Sequence, residues 1–260
     1  MSAQSDAVWL QTTCLQNGLQ LDDKQLALLE RYSLELLEWN KSINLVSRRD
    51  EENFWRVHVL HSLSVLFKLE IPPRSIVLDL GTGGGLPGLP IKIARPDLVI
   101  TLLDSTQKKT KVVDDIVRAL GLAGARVVWA RAEEAGRQKD YAHRFDVVFA
   151  RAVASLKDLV RWSAPLLKHA IVRGVSVEES RPADAKRMIV GPSLIAFKGG
   201  DIESEIRQVR NDPRVKAVST MDLSIAGSNP RETGEKKLVV VEFGDGQKEK
   251  VNRDRSEKTV

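Results

Sequence analysis

The chain has 260 residues, 42% of them apolar and 29% charged, with a formal net charge of +5 and an isoelectric point near 9.3. That size suits one α/β domain with a small appendage, and the mild basicity suits an anionic partner. The single cysteine, Cys14, excludes an internal disulfide or a Cys-rich zinc site, and the chain has neither an 18-residue apolar run nor the basic start and apolar core of a signal peptide. A cytoplasmic monomer with no metal and no membrane contact is expected.

The first 72 residues read as a helical extension. Asp22-Asp23-Lys24-Gln25 has the form of a capping box, with Asp22 as N-cap and Gln25 reaching back. Leu26, Leu29, Ser33 and Leu36-Leu37 follow at helical spacing, and a second stripe runs from Phe54 through Val57, Leu60, His61 and Ser64 to Phe67. Pro72-Pro73 closes the region. From Ser75, expected strands at 75–80, 99–104, 126–130, 145–150 and 194–198 alternate with helical patterns such as Val112-Val113, Ile116-Val117 and Leu120. Alternation of this kind implies a parallel sheet covered on both faces. A strand near 215–219 and another at 237–243 would form an antiparallel edge. Residues 171–193, with Pro182, Gly191 and Pro192, read as a loop. The domain is expected to span 73–244. The mixed-charge segment 245–260 reads as a disordered tail.

The chemistry sits at the end of the first strand. Asp79-Leu80-Gly81-Thr82-Gly83-Gly84-Gly85 fits D-x-G-x-G-x-G, the strand-to-helix turn of Class I S-adenosylmethionine (SAM) methyltransferases. Glycines let the backbone turn sharply and lie against a ligand, and the following helix would offer free N–H groups to it. The second strand ends in Asp104, roughly 20 residues past the glycines, where an acid can accept hydrogen bonds from ribose hydroxyls; it can also cap the helix that follows. Gly83 to Gly88 fits G-x-G-x-x-G as well, so a dinucleotide-binding domain is the competing reading. Asp79 before the glycines, Pro87 inside the would-be helix and the later strand plan favour SAM. The expected fold is therefore a Rossmann-like Class I methyltransferase with a mostly parallel seven-stranded sheet and an N-terminal helical extension.

Later strand ends supply further candidates. In this fold the loop after the third strand lies beside the adenine, which points to Glu133 in Arg131-Ala132-Glu133-Glu134. The fourth strand runs into Arg151, whose planar fork suits a phosphate or carboxylate, and fourth-strand ends face the transferable methyl. Ala150-Arg151-Ala152-Val153 stands where N6-adenine enzymes carry [ND]-P-P-[YF], and Cys14 lies far from any cofactor motif, so a pyrimidine-C5 thiolate mechanism has no nucleophile. An acceptor with a free lone pair, such as guanine N7, needs neither device and depends on alignment.

Several segments together resemble one family. Leu37 to Leu45 (LEWNKSINL), Val57 to Leu63 (VHVLHSL), Gly81 to Pro90 (GTGGGLPGLP), Leu102 to Ser105 with Lys108-Lys109, Arg131 to Glu134, Ala150 to Ser155, Ala196 to Gly199 and Leu238 to Val240 are similar to the bacterial small-subunit rRNA methyltransferase G family, formerly glucose-inhibited division protein B. The likeness covers roughly residues 20–243. It departs at Val57, where the family usually has Arg, and at His61, where it often has Asp. The resemblance implies SAM-dependent N7 methylation of a guanosine in 16S rRNA of the small ribosomal subunit. It also implies cofactor contacts at Gly81, Leu86, Ala132, Glu133 and Arg151, beside Gly83, Gly85 and Asp104 from the glycine turn and second strand. Arg151 is the expected positioning residue of catalysis.

For RNA, Lys108, Lys109, Lys111 and Lys198 are the principal candidates, with Arg48, Arg49, Arg56, Arg151, Lys157 and Arg161 as further phosphate contacts. Lys108 to Lys111 stand in the first turns of a helix, where the dipole disfavours cations, and such a broken rule hints at function. Trp39, Trp55 and Trp162 are the aromatic candidates for stacking on RNA. Two other readings compete: a methyltransferase for a small molecule, and a non-catalytic RNA-binding assembly factor that keeps the fold.

Overall fold

The computed structural model describes residues 3–169, 186–227 and 236–244. The chain opens with helices α1 (Ala3–Gln16) and α2 (Asp23–Asn40). The expected capping box is present: Asp22 accepts from Gln25 N, and the Gln25 side chain accepts from Asp22 N. The Gln25 amide also donates to the carbonyls of Ile93 and Ala94, tying the start of α2 to the core. The second stripe is not one regular helix. After a 3-10 turn (Arg48–Asn53), it comprises a π-turn (Trp55–Leu60) and short helices α3 (His61–Leu63) and α4 (Val65–Lys68). The wide π-turn presents the Val57 and His58 carbonyls to the Arg151 guanidinium.

Then follow β1 (Leu69–Glu70), β2 (Ile76–Leu80), α5 (Gly88–Ala94), β3 (Val99–Asp104), α6 (Gln107–Leu120), β4 (Ala125–Trp129), α7 (Ala132–Ala135), β5 (Val147–Arg151), α8 (Leu156–Ser163), β6 (Arg187–Met188), β7 (Ser193–Gly199), α9 (Glu203–Arg210), β8 (Val215–Asp222) and β9 (Lys236–Phe243). Seven strands form one sheet in the order β4-β3-β2-β5-β7-β9-β8. The first five are parallel, and β9 runs antiparallel to both β7 and β8. This is the Class I plan expected from the sequence, with its antiparallel edge.

Because both faces are covered, the central strands are apolar throughout rather than alternating. Val77, Val147 and Phe149 face one core, which Leu29, Tyr32 and Leu36 of α2 share with Ile91 of α5 and Val113 and Ile116 of α6. Leu78, Val148 and Ala150 face the other, under α7, α8 and α9. Burying both faces places the strand ends, where the chain must turn, along one edge of the sheet, and the site is built there.

Three expectations need correction. The third and fourth major strands are shifted to Ala125–Trp129 and Val147–Arg151, since Phe145 instead bridges Leu167 and the Asp146 carboxylate takes the Ile76 N–H. The expected loop at 171–193 contains β6, which pairs in parallel with β1, and Ile189 is buried against it. Residues 171–185 of that loop, and the expected tail at 245–260, lie outside the described residues.

Candidate active site

A cavity of about 530 Å³ opens at the C-terminal ends of β2, β3, β4 and β5. Of the residues expected to hold a cofactor, Gly81, Gly83, Leu86, Asp104, Ala132, Glu133 and Arg151 all line it. Gly85 does not. Its backbone has φ +91°, and a Cβ there would lie 2.5 Å from Leu89 Cδ1, so it serves the packing of α5 and not the cavity. Gly83 is the opposite case: φ is +56°, nothing lies within 4 Å of a Cβ built there, and the residue lines the cavity.

The hydrogen bonds of the glycine turn decide what it can hold. Gly81 N and Thr82 N both donate to Leu103 O, and Gly85 N and Leu86 N to Thr82 O. Gly83 N donates to Asp104 Oδ2 at 2.9 Å, and Gly88 N, the first of α5, to Asp79 Oδ2 at 2.9 Å. Leu89 N is taken by Gly85 O. The expectation that the helix would offer free N–H groups is therefore not met at these positions. A dinucleotide pyrophosphate needs such groups; beside this turn the cavity wall carries the Asp104 carboxylate instead, which suits ligand hydroxyls and a ligand of net positive charge.

Asp79 is fully buried. Its Oδ2 also accepts from Thr82 Oγ1 at 2.6 Å, while Oδ1 has no partner. Burial raises its pKa to about 6, against the lowering effect of the Thr82 and Gly88 hydrogen bonds and of Arg151. Asp104 is buried at the cavity wall. Its Oδ1 accepts from Thr106 N at 2.8 Å, so it shapes the entry to α6, although the helix N-cap itself is Thr106. Each carboxylate oxygen of Asp104 keeps a second lone pair for a ligand hydroxyl.

Arg151 lines the cavity, but its guanidinium is already engaged. Nη1 donates to His58 O at 3.2 Å and Ser62 Oγ at 3.1 Å; Nη2 donates to Val57 O and, at 2.5 Å, to His58 Nδ1. Its fork therefore clamps the π-turn to the end of β5, which corrects the expectation of a fork open to phosphate or carboxylate. With Nδ1 accepting, His58 carries its proton on Nε2, which lies 3.5 Å from the Asp50 carboxylate. Burial, and then the nearby charges of Arg151 and Lys236, hold His58 neutral, with a pKa lowered to about 3. His61 is likewise buried and held neutral, its ring edge against Phe197.

The extension supplies a wall that the sequence did not reveal. Leu45, Val46, Ser47 and His58 line the cavity with the glycine turn. Their loop is organised by Asn40: Oδ1 accepts from Leu45 N and Val46 N, and Nδ2 donates to Val46 O and Glu51 Oε1. Tyr32 fixes the far side of the turn by donating to Gly84 O at 2.9 Å. Both residues flank or sit in the LEWNKSINL segment, which carried the family likeness without an assigned role.

Among the RNA candidates, Lys109 stands on the cavity rim, and Lys108 and Lys111 are exposed on α6. Lys198 is not available. Its ammonium binds Glu205 Oε2 and Ala154 O, each at 2.8 Å, with the side chain only 14% exposed. Arg161 pairs with Asp158, and Arg56 lies over the Trp9 ring. Trp55 belongs to the core, Trp39 packs partly against it, and Trp162 lines the cavity. Among the described residues no group of three His, Cys, Asp or Glu side chains is placed to hold a metal, and no helix is long and apolar enough to cross a membrane.

Comparison with known proteins follows the same lines. A family model described as rRNA small subunit methyltransferase G matches residues 25–173. A ribosomal RNA small subunit methyltransferase G from Moorella thermoacetica is 39% identical over 189 residues, covering 73% of this chain and 70% of that one. Its counterpart from an Exiguobacterium species is 33% identical over 228 residues, covering 86% and 85%. In fold, the chain is similar to the crystal structure of a predicted O-methyltransferase from Agrobacterium tumefaciens, with a TM-score of 0.50 at 14% identity over 72% of this chain and 81% of that one. The matched segment contains the glycine turn, Asp104, Glu133, Arg151 and the extension loop that walls the cavity, and the chain belongs to the rRNA small subunit methyltransferase G family.

Proposed function

We propose that this protein is a SAM-dependent methyltransferase acting on guanine N7 in 16S rRNA of the small ribosomal subunit. The observation that carries the cofactor assignment is the glycine turn, whose N–H groups at 81, 82, 83, 85 and 86 are spent on protein acceptors, while the Asp104 carboxylate stands on the cavity wall and the buried Asp79 carboxylate holds the turn from within. SAM supplies an electrophilic methyl on a sulfonium, and its net positive charge suits that cavity. In this reading Asp104 takes the ribose hydroxyls, Gly83 allows close approach, and Ala132 and Glu133 take the adenine; its support is that all four line the cavity.

The chain's part in the chemistry is alignment. Guanine N7 has a free lone pair, so no base is needed to generate the nucleophile. Consistent with that, the buried imidazoles of His58 and His61 are held neutral, His58 Nδ1 is engaged by Arg151, and His61 packs against Phe197 away from the cavity lining. Arg151 acts through the π-turn it clamps: it fixes the His58 side of the cavity against β5, which holds the acceptor's approach in register. It is thus a positioning residue. The rRNA substrate is the reading taken from family membership and from the exposed lysines at the rim.

The test is transfer of labelled methyl from SAM to 30S subunits prepared from a strain lacking the activity. Label in 16S rRNA supports the proposal. Label confined to small molecules, or tight NAD binding without SAM binding, would overturn it.

A further inference from the structure

Trp129 is the last residue of the edge strand β4 and lies opposite Asp104 in register. Its ring is 59% exposed, whereas the other four tryptophans are buried or half-buried. The ring is nevertheless held, because its indole N–H donates to Ser105 O at 3.0 Å. Ser105 on one side and Ala130 and Arg131 on the other line the mouth of the cavity, so the ring stands just outside it. Lys108 and Lys109 begin α6 two residues beyond the Ser105–Thr106 turn, and Arg131 is exposed. None of these three cations has a carboxylate partner among the described residues. The acids nearby in sequence are Asp104 and Glu133, both on the cavity wall, and Glu134.

A large aromatic face at an edge position gains nothing for the core. Fixed in place and bordered by unpaired cations, it has the composition of a single-stranded nucleic-acid platform, where bases stack and phosphates meet cations. The fixed indole also has less freedom to lose on binding than a mobile side chain.

We propose that Trp129 is a stacking platform for an unpaired base of the RNA strand flanking the modified nucleotide, with Lys108, Lys109 and Arg131 on the adjoining phosphates. The proposal rests on the RNA-substrate reading above and adds base contact to it. Its probe is a fluorescein-labelled single-stranded RNA of about twelve nucleotides, within the usual range of single-strand sites, beside the same oligomer made abasic. The wild type is expected to bind the base-bearing oligomer more tightly than the abasic one. Trp129→Ala should weaken binding of the base-bearing oligomer by about tenfold, as loss of one stacked base does, and should leave the abasic oligomer, the salt slope and SAM affinity unchanged. Trp129→Phe should restore most of the loss. Lys108→Ala/Lys109→Ala should show the complementary pattern, a salt slope shallower by about two units with the base-to-abasic ratio preserved. Wild-type affinity for the base-bearing oligomer in Trp129→Ala would overturn the platform alone. A parallel loss of SAM affinity would also overturn it, by making the ring part of the cofactor wall. Absence of any RNA binding by the wild type would overturn both the platform and the RNA reading.

Discussion

Gly83 and Gly85 lie two residues apart in the same motif, yet their alanine variants should fail in different ways. Both sit at positive φ, +56° and +91°, so an alanine at either costs about 1–2 kcal/mol of backbone strain. At Gly83 nothing lies within 4 Å of the new methyl, and no further folding cost arises. At Gly85 the methyl would sit 2.5 Å from Leu89 Cδ1 and 2.8 Å from Cγ, which adds about 1–3 kcal/mol of overpacking. For a chain of this size each kcal/mol lowers Tm by about 2–4 °C. Gly83→Ala should therefore remain folded with a Tm a few degrees down, and Gly85→Ala should lose roughly twice as much or more. Ligand binding should run the other way. Because Gly83 lines the cavity, its alanine variant should weaken SAM binding by about tenfold or more, as a misfit of one methyl in a pocket does. Gly85→Ala, away from the cavity, should bind SAM nearly as well per folded molecule. Scanning fluorimetry and calorimetry on the two variants read both quantities. A Gly83→Ala protein with wild-type SAM affinity, or a Gly85→Ala protein folded as well as Gly83→Ala, would refute this division of labour.

Asp104→Ala should weaken SAM binding by about 1.5–3 kcal/mol, the scale of a charged hydrogen bond, as measured by calorimetry on the folded variant; unchanged affinity would remove Asp104 from the site. Asn40→Ala leaves Leu45 N and Val46 N without their acceptor and should cost about 2–4 kcal/mol in urea unfolding, with weaker SAM binding because the 45–47 wall loosens. Asp79 has a folded pKa of about 6, above the ordinary 3.8, so the folded state holds its proton more tightly than the unfolded chain. Its contribution is thus present at low pH and is lost as pH rises through about 6, by roughly 3 kcal/mol over the two-unit shift. The stability of the wild type relative to Asp79→Asn should fall across that window, and a pH-independent difference would contradict the burial argument. His58, lowered to about 3, has the opposite sign: its contribution is present above pH 6.5 and lost as pH falls toward 3, a slope that His58→Asn should lack in the same titration. Lys198→Ala should lower Tm through loss of the Glu205 and Ala154 contacts and leave the RNA salt slope intact; a shallower slope would return Lys198 to the RNA face.

Much of the fold is legible in the sequence because its signals are local. Apolar runs such as Ile76 to Leu78, ended by an acid and followed by glycines, mark buried parallel strands and their turn without any knowledge of neighbours. The inner antiparallel strand β9 is legible from the apolar run within Lys237 to Phe243 as well. The site is only half legible, for a physical reason. Gly83 and Asp104 lie just after or at strand ends, so their place in the cavity follows from the topology, as does the place of Asp79 beneath the turn. Leu45 and His58 reach the cavity, with Asn40 bracing their loop, only because the extension folds back over the glycine turn, and no local pattern carries that. Arg151 and Lys198 stand at strand ends as expected, but position along the chain does not reveal the partner of a long side chain: one meets the π-turn and the other meets Glu205. Trp129 reads as an ordinary strand aromatic until the sheet order places its strand at the edge.

The central claim is the atom that receives the methyl, and one measurement addresses it directly. After reaction of the protein with SAM and 30S subunits lacking the modification, the 16S rRNA is treated with borohydride and aniline and the strand breaks are mapped by primer extension. Methylation at N7 leaves a cationic imidazole ring that opens under this treatment, so the account predicts a new break at one guanosine, absent without SAM and absent with Gly83→Ala at limiting SAM. Methylated rRNA that resists cleavage, with the label on an exocyclic amine or a ribose hydroxyl, would contradict it.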